Sequence, residues 1–154
     1  MREAVFVVRP LEDKDILQAT DVLVSAYRHG EWNEHWKGER ATLRIQQIRQ
    51  SPGSVCLCCA SGDELAGIIL GRLEIRVDEN YFIIDELAVA PRFQRRGLGQ
   101  KLVQELEDRI ALEGYTGVFL LTLKEGFAAD FYRKNGYSLG PRMGFFRKDE
   151  LVAR

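Results

Sequence analysis

The segment from residue 81 to residue 123 constrains the fold more than any other part of the sequence. An apolar run over 81–89 is followed, from Gly97, by apolar residues at helical spacing as far as Gly114, and then by a second apolar run over 118–123. A strand, a helix and a strand in this order form a right-handed crossover between two parallel strands. The sequence therefore predicts a sheet that is parallel at this point.

The residues before the crossover predict antiparallel neighbours. Runs of strand-forming residues over 55–60, 65–74 and 81–89 are separated by turn residues at 61–63 and 78–80, which indicates a three-stranded meander. A short strand over 5–9 and two helices precede it, the first capped by Asp13 and the second ending near Arg49. A short helix over 128–134 and two strands, one through Tyr137 and one over 143–146, follow the crossover.

The size of the chain fits one such domain. With 154 residues, 45% of them hydrophobic, the chain is long enough to bury a core without disulfide or metal staples. We therefore expect a single α/β (α+β) domain over residues 1–154, with about four helices and a mixed, mostly antiparallel sheet of about six to seven strands.

The composition argues against several kinds of partner. Because 22 basic residues nearly balance 23 acidic ones, no global field draws the chain to nucleic acid or to an anionic membrane. The apolar run at the N-terminus is too short for a signal peptide or a membrane span. Cys56, Cys58 and Cys59 share one strand, which fits buried thiols in a reducing cytoplasm, and two histidines leave too few ligands for zinc. We expect a cytoplasmic protein with no metal.

The junction between the strand at 81–89 and the helix carries the chemistry. Gly97 and Gly99 open the helix, and Arg92, Arg95 and Arg96 stand just before them. Unpaired amides at a helix start, the helix dipole and close approach at glycine all favour phosphate. A Walker loop does not fit, because Gln100 follows Gly99, and a dinucleotide fingerprint does not fit, because position 102 is leucine.

Two stretches carry a resemblance to a known family. Residues 84–91, followed by Gln94-Arg95-Arg96-Gly97-Leu98-Gly99, resemble the acetyl-coenzyme A motif of the GNAT superfamily of N-acetyltransferases, Gln/Arg-x-x-Gly-x-Gly/Ala. Residues 128–137 resemble that family's second signature, A-x-x-F-Y-x-K-x-G-F/Y. The resemblance is close over residues 81–150 and covers the first 80 residues only in the order of elements. It implies a sheet splayed open between the strands at 81–89 and 118–123, and an acyltransferase that uses acetyl-CoA.

The resemblance also implies where the coenzyme binds. The backbone at the end of the strand would pair with the pantetheine arm, the amide of Val89 would donate to the thioester oxygen, and Tyr132 would protonate the departing thiolate. The implied cofactor-binding residues are Leu87, Ala88, Val89, Gln94, Arg95, Arg96, Gly97, Leu98, Gly99, Gln100, Phe131 and Tyr132.

The general base and the acceptor site are open to more than one interpretation. Asp85 is favoured as the base over Glu86, because in a regular strand it shares a face with Leu87; a bulge would reverse that order, and water is a third option. Tyr27, Glu31 and Trp32 suit a cationic amine, although a plain helix-connecting loop explains these residues equally well.

The expected function is transfer of an acetyl group from acetyl-CoA to a primary amine by direct attack in a ternary complex. The acceptor could be a small amine, an aminoglycoside, a polyamine or a protein amine. Because the strand at 118–123 lacks the base that some relatives carry there, a non-catalytic acyl-CoA-binding sensor or accessory module is the alternative. Many relatives pair, so a homodimer is one expectation for assembly.

Overall fold

The computed structural model describes residues 4–153, and its elements follow the predicted order. The strands are β1 (Val7–Pro10), β2 (Val55–Ser61), β3 (Glu64–Ile75), β4 (Asn80–Val89) and β5 (Gly117–Leu120), and the helices are α1 (Ile16–Arg28), α2 (Gly38–Arg49), α3 (Leu98–Leu112) and α4 (Phe127–Lys134). The chain divides into two compact units, the first ending at Leu121 and the second beginning at Thr122. The whole sheet and three of the helices therefore belong to the first unit.

The sheet has the order β1-β2-β3-β4-β5 and is mixed, as predicted. The first three pairs are antiparallel, and β4 and β5, which α3 connects, are parallel. Their pairing runs only from Tyr81 opposite Gly117 to Ile84 opposite Leu120. Within residues 4–153, the last part of β4, residues 85–89, has no strand beside it on that side. The sheet is therefore splayed where the resemblance implies.

The predicted number of strands, about six to seven, is slightly too high. The described residues form five strands, and residues 137–153 contain none, so neither the strand through Tyr137 nor the one over 143–146 forms. The apolar side chains of this segment are instead exposed: Leu139, Met143, Phe145, Phe146, Leu151 and Val152. A strand needs a neighbour that pairs with its backbone, and a local pattern of apolar residues does not supply one.

The start of α1 also differs from the prediction. Asp13 does not cap the helix; it lies in a short 3-10 turn and its carboxylate pairs with Arg49 at 2.9 Å. The buried carboxylate of Asp15 stabilises this turn by accepting hydrogen bonds from the amide of Glu12 at 2.9 Å and from the guanidinium of Arg9 at 2.6 Å. No side chain caps the start of α1, and the carboxylate of Asp15 is held by Arg9 of β1 instead.

Helices cover both faces of the sheet. A side chain at Gly67 would meet Leu102 of α3, whereas Arg72 lines a cavity with residues of α2. Residues 67 and 72 differ by an odd number, and alternate residues of a strand point to opposite faces. Hence α3 covers one face and α2 the other. None of the helices within residues 4–153 combines the length and the apolar character needed to cross a bilayer.

The cysteines lie where the sequence predicts. Cys58 and Cys59 are buried and Cys56 is half-buried, all as free thiols. Burial raises the pKa of Cys56 and of Cys58 to about 11. The thiolate is the reactive form of cysteine, so these side chains act as packing residues at neutral pH. Across the described part of the chain, no three His, Cys, Asp or Glu side chains are grouped so as to hold a metal ion.

Candidate active site

A β-bulge interrupts β4 at the end where β5 leaves it. β3 and β4 pair Leu70 with Glu86, but the next pair is Gly71 with Ile84. Asp85 is the extra residue, opposite no residue of β3. A bulge of this kind kinks the strand and changes the directions of neighbouring side chains. The regular alternation on which the preference for Asp85 rested therefore does not hold at this point.

Both carboxylates of the bulge reach the same arginine. The Nε atom of Arg44 lies 2.9 Å from Oε1 of Glu86, and its Nη2 atom lies 3.6 Å from Oδ1 of Asp85. Consecutive residues of a regular strand point to opposite faces, so this shared contact is a consequence of the bulge. The bulge reverses the order of preference for the general base, from Asp85 to Glu86.

Gly71 makes room for the bulge. A Cβ atom added at this position would overlap the carbonyl oxygen of Ile83 and the ring of Phe82. Glycine inside a strand often marks a bulge or a close backbone approach. Gly67 and Gly71 both lie inside β3 and are visible in the sequence. Gly71 is the signal from which the bulge opposite it in β4 could have been located.

A second arginine completes the cluster. The Nε atom of Arg72, on β3, lies 3.2 Å from Oδ2 of Asp85. The carboxylate side chains are nearly buried, with 7% of Asp85 and 11% of Glu86 exposed, and the arginines are about one-third exposed. We call Arg44, Arg72, Asp85 and Glu86 the ion-pair cluster; its formal charges cancel.

Sequence reasoning missed both arginines of the ion-pair cluster. Arg72 could have been found, because counting back from the turn at residues 76–79 pairs it with Ile83, two residues from Asp85. Arg44 could have been found only with the docking of α2 known. It lies on the same helix as the buried residues Ala41, Ile45 and Ile48, beside their apolar stripe.

The ionisation of the two carboxyls is set mainly by burial. Burial raises the pKa of Asp85, and the neighbouring charges of Arg72 and Arg44 act in the opposite direction. Burial likewise raises the pKa of Glu86, against the hydrogen bonds that it accepts from Arg44 and Tyr27. Both carboxyls therefore hold a proton to higher pH than ordinary acidic side chains, which strengthens each of them as a base.

Tyr27 connects α1 to the bulge. Its hydroxyl group lies 2.8 Å from Oε2 of Glu86 and 3.2 Å from the carbonyl oxygen of Leu87, and its single proton is shared between these acceptors. Its ring packs edge-on against Trp32, with centroids 5.7 Å apart. The structure thus brings Tyr27 to β4, and Trp32, the second predicted acceptor residue, packs against Tyr27. The third, Glu31, is exposed in the loop between α1 and α2.

A basic loop joins the end of β4 to α3. The side-chain amide of Gln94 donates to the carbonyl oxygen of Val89 at 2.9 Å, which closes the loop on the strand. Phe93 is buried, and the guanidinium groups of Arg92 and Arg96 lie 4.8 and 5.7 Å from its ring centre. Arg92 also pairs with Glu64. Within residues 4–153, Arg95 and Arg96 form no ion pair with a carboxylate, unlike Arg92.

The start of α3 presents backbone amides to this loop. The first helical hydrogen bond runs from the amide of Lys101 to the carbonyl of Gly97 at 3.0 Å, so the amides of residues 98–100 have no acceptor within the helix. No side chain caps this end. Arg95 and Gly97 adopt left-handed backbone angles, φ 62° and 76°, which curve the chain around the amides. The side chain of Leu98 is buried, so this predicted cofactor residue can offer only its amide.

The second unit contains the remaining predicted residues. Phe131 and Tyr132 lie on α4, both half-buried. Their rings pack edge to face with centroids 5.2 Å apart, and Tyr132 makes a similar contact with Tyr137 at 5.4 Å. The amides of Asn135 and Tyr137 both donate to the carbonyl oxygen of Tyr132 at 3.0 Å, which ends the helix. Tyr132 is thus held firmly within its own unit.

One comparison with known proteins gives a family, and the others give proteins of similar fold. The family model described as Acetyltransferase (GNAT) family matches residues 18–137. An aminoglycoside N-acetyltransferase solved in complex with CoA is similar in structure, with a TM-score of 0.76, 14% identity, and coverage of 96% of this chain and 97% of that one. Glucosamine-6-phosphate N-acetyltransferase from Arabidopsis thaliana has a TM-score of 0.71 and 22% identity, with 95% and 99% covered.

A third structure resembles the chain to the same degree. It is an aminoglycoside acetyltransferase from an uncultured soil metagenomic sample, solved in complex with sisomicin, with a TM-score of 0.74 and 16% identity. The similarity covers 95% of this chain and 97% of that chain. At these identities the structural neighbours establish the fold alone, and the family model establishes the family.

Proposed function

Because the chain belongs to the acetyltransferase (GNAT) family, we propose that it transfers the acetyl group of acetyl-CoA to a primary amine. Membership makes the chain an acetyltransferase; the amine acceptor and the residue roles are our proposal. One observation carries them. The bulge places the carboxylate of Glu86 on β4 beside residues 87–89, where the strand is open on one edge and leads directly into the amides of α3.

The residues on this edge fit the coenzyme. Residues 87–89 can hydrogen-bond to an extended amide chain such as pantetheine, as an added strand does. The amides at the start of α3 and the guanidinium groups of Arg95 and Arg96 suit a pyrophosphate, whose charge they would neutralise. The amide of Val89 would donate to the thioester oxygen as negative charge develops on it. When bound, acetyl-CoA supplies the activated acyl group and the thiolate leaving group.

The proposed transfer needs three proton movements: one before the nitrogen attacks, one from the nitrogen after it attacks, and one to the leaving thiolate. An alkyl ammonium has a pKa of about 10.4, so the acceptor must lose a proton before its nitrogen can attack. Glu86 takes that proton, directly or through one water, since each carboxylate oxygen has two lone pairs and accepts one hydrogen bond here. A carbon–nitrogen bond forms, and the nitrogen then releases its second proton to solvent as the carbon–sulfur bond breaks. Tyr132 protonates the departing thiolate and recovers its own proton from water. The products are an N-acetyl amine and free CoA.

Three observations bear on the acceptor class and on the choice between the transferase and the sensor. Structural neighbours whose names describe N-acetyltransferases of aminoglycosides and of glucosamine-6-phosphate support an amine. The paired state of the carboxylates favours the alternative, a non-catalytic acyl-CoA sensor, because Glu86 already accepts hydrogen bonds from Arg44 and Tyr27. The raised pKa of Glu86 weighs on the side of catalysis, since it marks a carboxyl with an increased affinity for protons.

A turnover assay separates these functions. Purified protein is incubated with acetyl-CoA and a panel of amines, with thiol release and the mass of the product as readouts. We expect amine-dependent release of CoA and an N-acetylated product. In Glu86→Gln, kcat should fall by about 100-fold or more while CoA affinity is kept. Arg40→Gln, an exposed change on α2, is the control and should behave as the parent protein.

The opposite results are equally informative. Tight CoA binding without acetylation of any amine would refute the proposed transferase and support the non-catalytic acyl-CoA sensor. A product acetylated on oxygen would refute the amine acceptor while keeping the acyltransferase. A Glu86→Gln variant with unchanged kcat would remove Glu86 from the proton path and leave Asp85 or water as the base.

A further inference from the structure

A cavity of about 500 Å³ lies beside the ion-pair cluster, between α2 and β3. Arg44 and Gln47 line it from the helix, and Arg72 and Glu74 line it from the strand. We propose that this cavity binds a carboxylate or phosphate group of the acetyl acceptor, so that the acceptor is an amine that also carries an anion. That the bound molecule is the acetyl acceptor rests on the proposed function. That it carries an anion rests on the cavity itself.

The two arginines have donors to spare. A guanidinium group has five N–H bonds. Arg44 donates through Nε to Glu86 and through Nη1 to Oε1 of Gln47 at 3.1 Å, and its Nη2 atom lies 3.6 Å from Oδ1 of Asp85, which leaves two of its five N–H bonds. Arg72 contacts Asp85 through Nε and Glu74 through Nη1 at 3.5 Å, and among the described residues no partner of its Nη2 atom is recorded. An oxyanion in the cavity could therefore accept hydrogen bonds from both side chains.

The surroundings strengthen such bonds. About 29% of the Arg44 side chain and 37% of the Arg72 side chain is exposed, so both charges are partly removed from water. Charge-assisted hydrogen bonds are stronger in such a place than on an open surface, because the effective dielectric constant is lower. Forked guanidinium donors also match the geometry of carboxylate and phosphate oxygens.

The carboxylates around the cavity limit which anion can enter. Asp85 and Glu86 neutralise the two arginines, and Glu74 competes for Arg72. The contact between Glu74 and Arg72 is long, and the Glu74 side chain is 34% exposed, so an entering oxyanion can replace it and let it return to water. When Glu86 accepts the acceptor's proton, the ion-pair cluster loses one negative charge. An anion is then bound more strongly as the reaction proceeds, which favours the transition state.

The position of Arg44 sets the length of the acceptor. Its guanidinium contacts Glu86 on one side and the cavity on the other. An oxyanion bound across it would lie about 6–8 Å from the Glu86 carboxylate, given hydrogen bonds of about 2.9 Å on each side of the planar group. Because Arg44 fills the space between that oxyanion and Glu86, the attacking nitrogen must reach Glu86 from another side, and it lies about as far from the oxyanion. An α-amino acid is too short for this separation. Amines with a carboxylate or phosphate several bonds away are the predicted acceptors.

Matched acceptor pairs test the inference. We would compare 5-aminopentanoate with pentylamine, and 3-aminopropyl phosphate with 3-aminopropanol, with glycine as the short acid. We expect kcat/KM to be about tenfold or more higher for one acid-bearing member than for its neutral partner, as for a well-formed polar contact. The pair that shows the larger ratio identifies carboxylate or phosphate as the group. Glycine should show no advantage.

Variants assign that ratio to the cavity. In Arg72→Gln the ratio between acid-bearing and neutral acceptors should fall towards one, and Arg72→Lys should retain part of it. Arg40→Gln, which removes the same charge from the exposed side of α2, should keep the parent ratio. A ratio near one in the parent protein, with active turnover of neutral amines, would overturn the inference while the proposed function stands.

A binding experiment keeps the inference testable without turnover. The ¹⁵N-labelled protein is titrated with 5-aminopentanoate and with 3-aminopropyl phosphate in the absence of acetyl-CoA. We expect saturable shifts of the arginine Nε–H signals of Arg44 and Arg72. In Arg72→Gln the shift of the Arg44 signal should disappear. If no amine is acetylated but these shifts appear, the anion site stands and the proposed function fails. If neither compound causes a shift, the inference is refuted.

Discussion

Replacing Arg44 by glutamine tests the ion-pair cluster most directly. Arg44 bonds to Glu86 at 2.9 Å and lies 3.6 Å from Asp85, and these two side chains are only 11% and 7% exposed. Removing one partner of a buried pair costs about 3–5 kcal/mol, because the other charge is left unpaired. Arg44 is itself 29% exposed and Asp85 retains Arg72, so we expect a smaller loss, about 2–3 kcal/mol in the free energy of unfolding.

The loss should shrink as the pH falls. Burial raises the pKa of Glu86 and Arg44 lowers it, so the variant raises this pKa further. The folded variant then binds a proton at pH values where the unfolded chain has already lost it. A state that binds more protons gains stability on acidification, so the folded variant is stabilised as the pH falls from neutral towards the ordinary glutamate range. Protonated Glu86 no longer needs the lost cation.

Urea unfolding of the parent protein and of Arg44→Gln, at about pH 8 and about pH 5.5, measures both effects. Arg40→Gln is the matched control, since it removes the same charge from the same helix at an exposed site; its change should stay within about 0.5 kcal/mol. An Arg44→Gln deficit no larger than that of the control, or one that is equal at both pH values, would refute the account of the ion-pair cluster.

Three further predictions concern backbone and catalysis. Gly71→Ala should lose about 1–3 kcal/mol of stability by overpacking the bulge, whereas Gly38→Ala, with no atom within 4 Å of the new methyl group, should lose none in the same thermal unfolding assay. Gly97→Ala and Gly114→Ala both strain a left-handed residue by about 1 kcal/mol, but only the first should weaken CoA binding in calorimetry; equal affinities would contradict the amide site. Tyr132→Phe should lower kcat by about 100-fold without changing CoA affinity, and an unchanged kcat would exclude it as the acid.

The order of elements could be predicted because it depends on local signals. Apolar spacing, turn residues and the glycine that ends α3 indicated each strand and helix to within a few residues. The segment over 143–146 shows where such signals fail. Its apolar side chains satisfy a strand pattern, yet Phe145 and Phe146 are exposed, since no strand pairs with them in the described structure. A strand forms only where two segments pair, and the apolar pattern of one segment does not show whether a second segment lies beside it.

The candidate site could be predicted only in part for the same reason. The basic loop and the amides at Gly97 are continuous in sequence, so the motif contained them. The ion-pair cluster joins residues 44, 72, 85 and 86 from one helix and two strands, and its geometry depends on a bulge that no alternation rule produces. Sequence reasoning therefore found the acids at 85 and 86 and missed the cations that control them.

The arginines of the basic loop and those of the ion-pair cluster differ in how their charge is balanced. This difference explains how a chain with a net charge of −1 could bind both anions and an amine in the proposed reaction. Arg95 and Arg96 are exposed, and in the proposed function they attract the pyrophosphate of the coenzyme from a distance. Arg44 and Arg72 are compensated by buried carboxylates, so the ion-pair cluster has no net charge to attract a simple cation. A ligand that brings one amine and one anion leaves this balance unchanged and satisfies both arginines. An amine without the anion leaves their remaining donors to water, and selectivity against it comes from that lost hydrogen bonding rather than from long-range attraction.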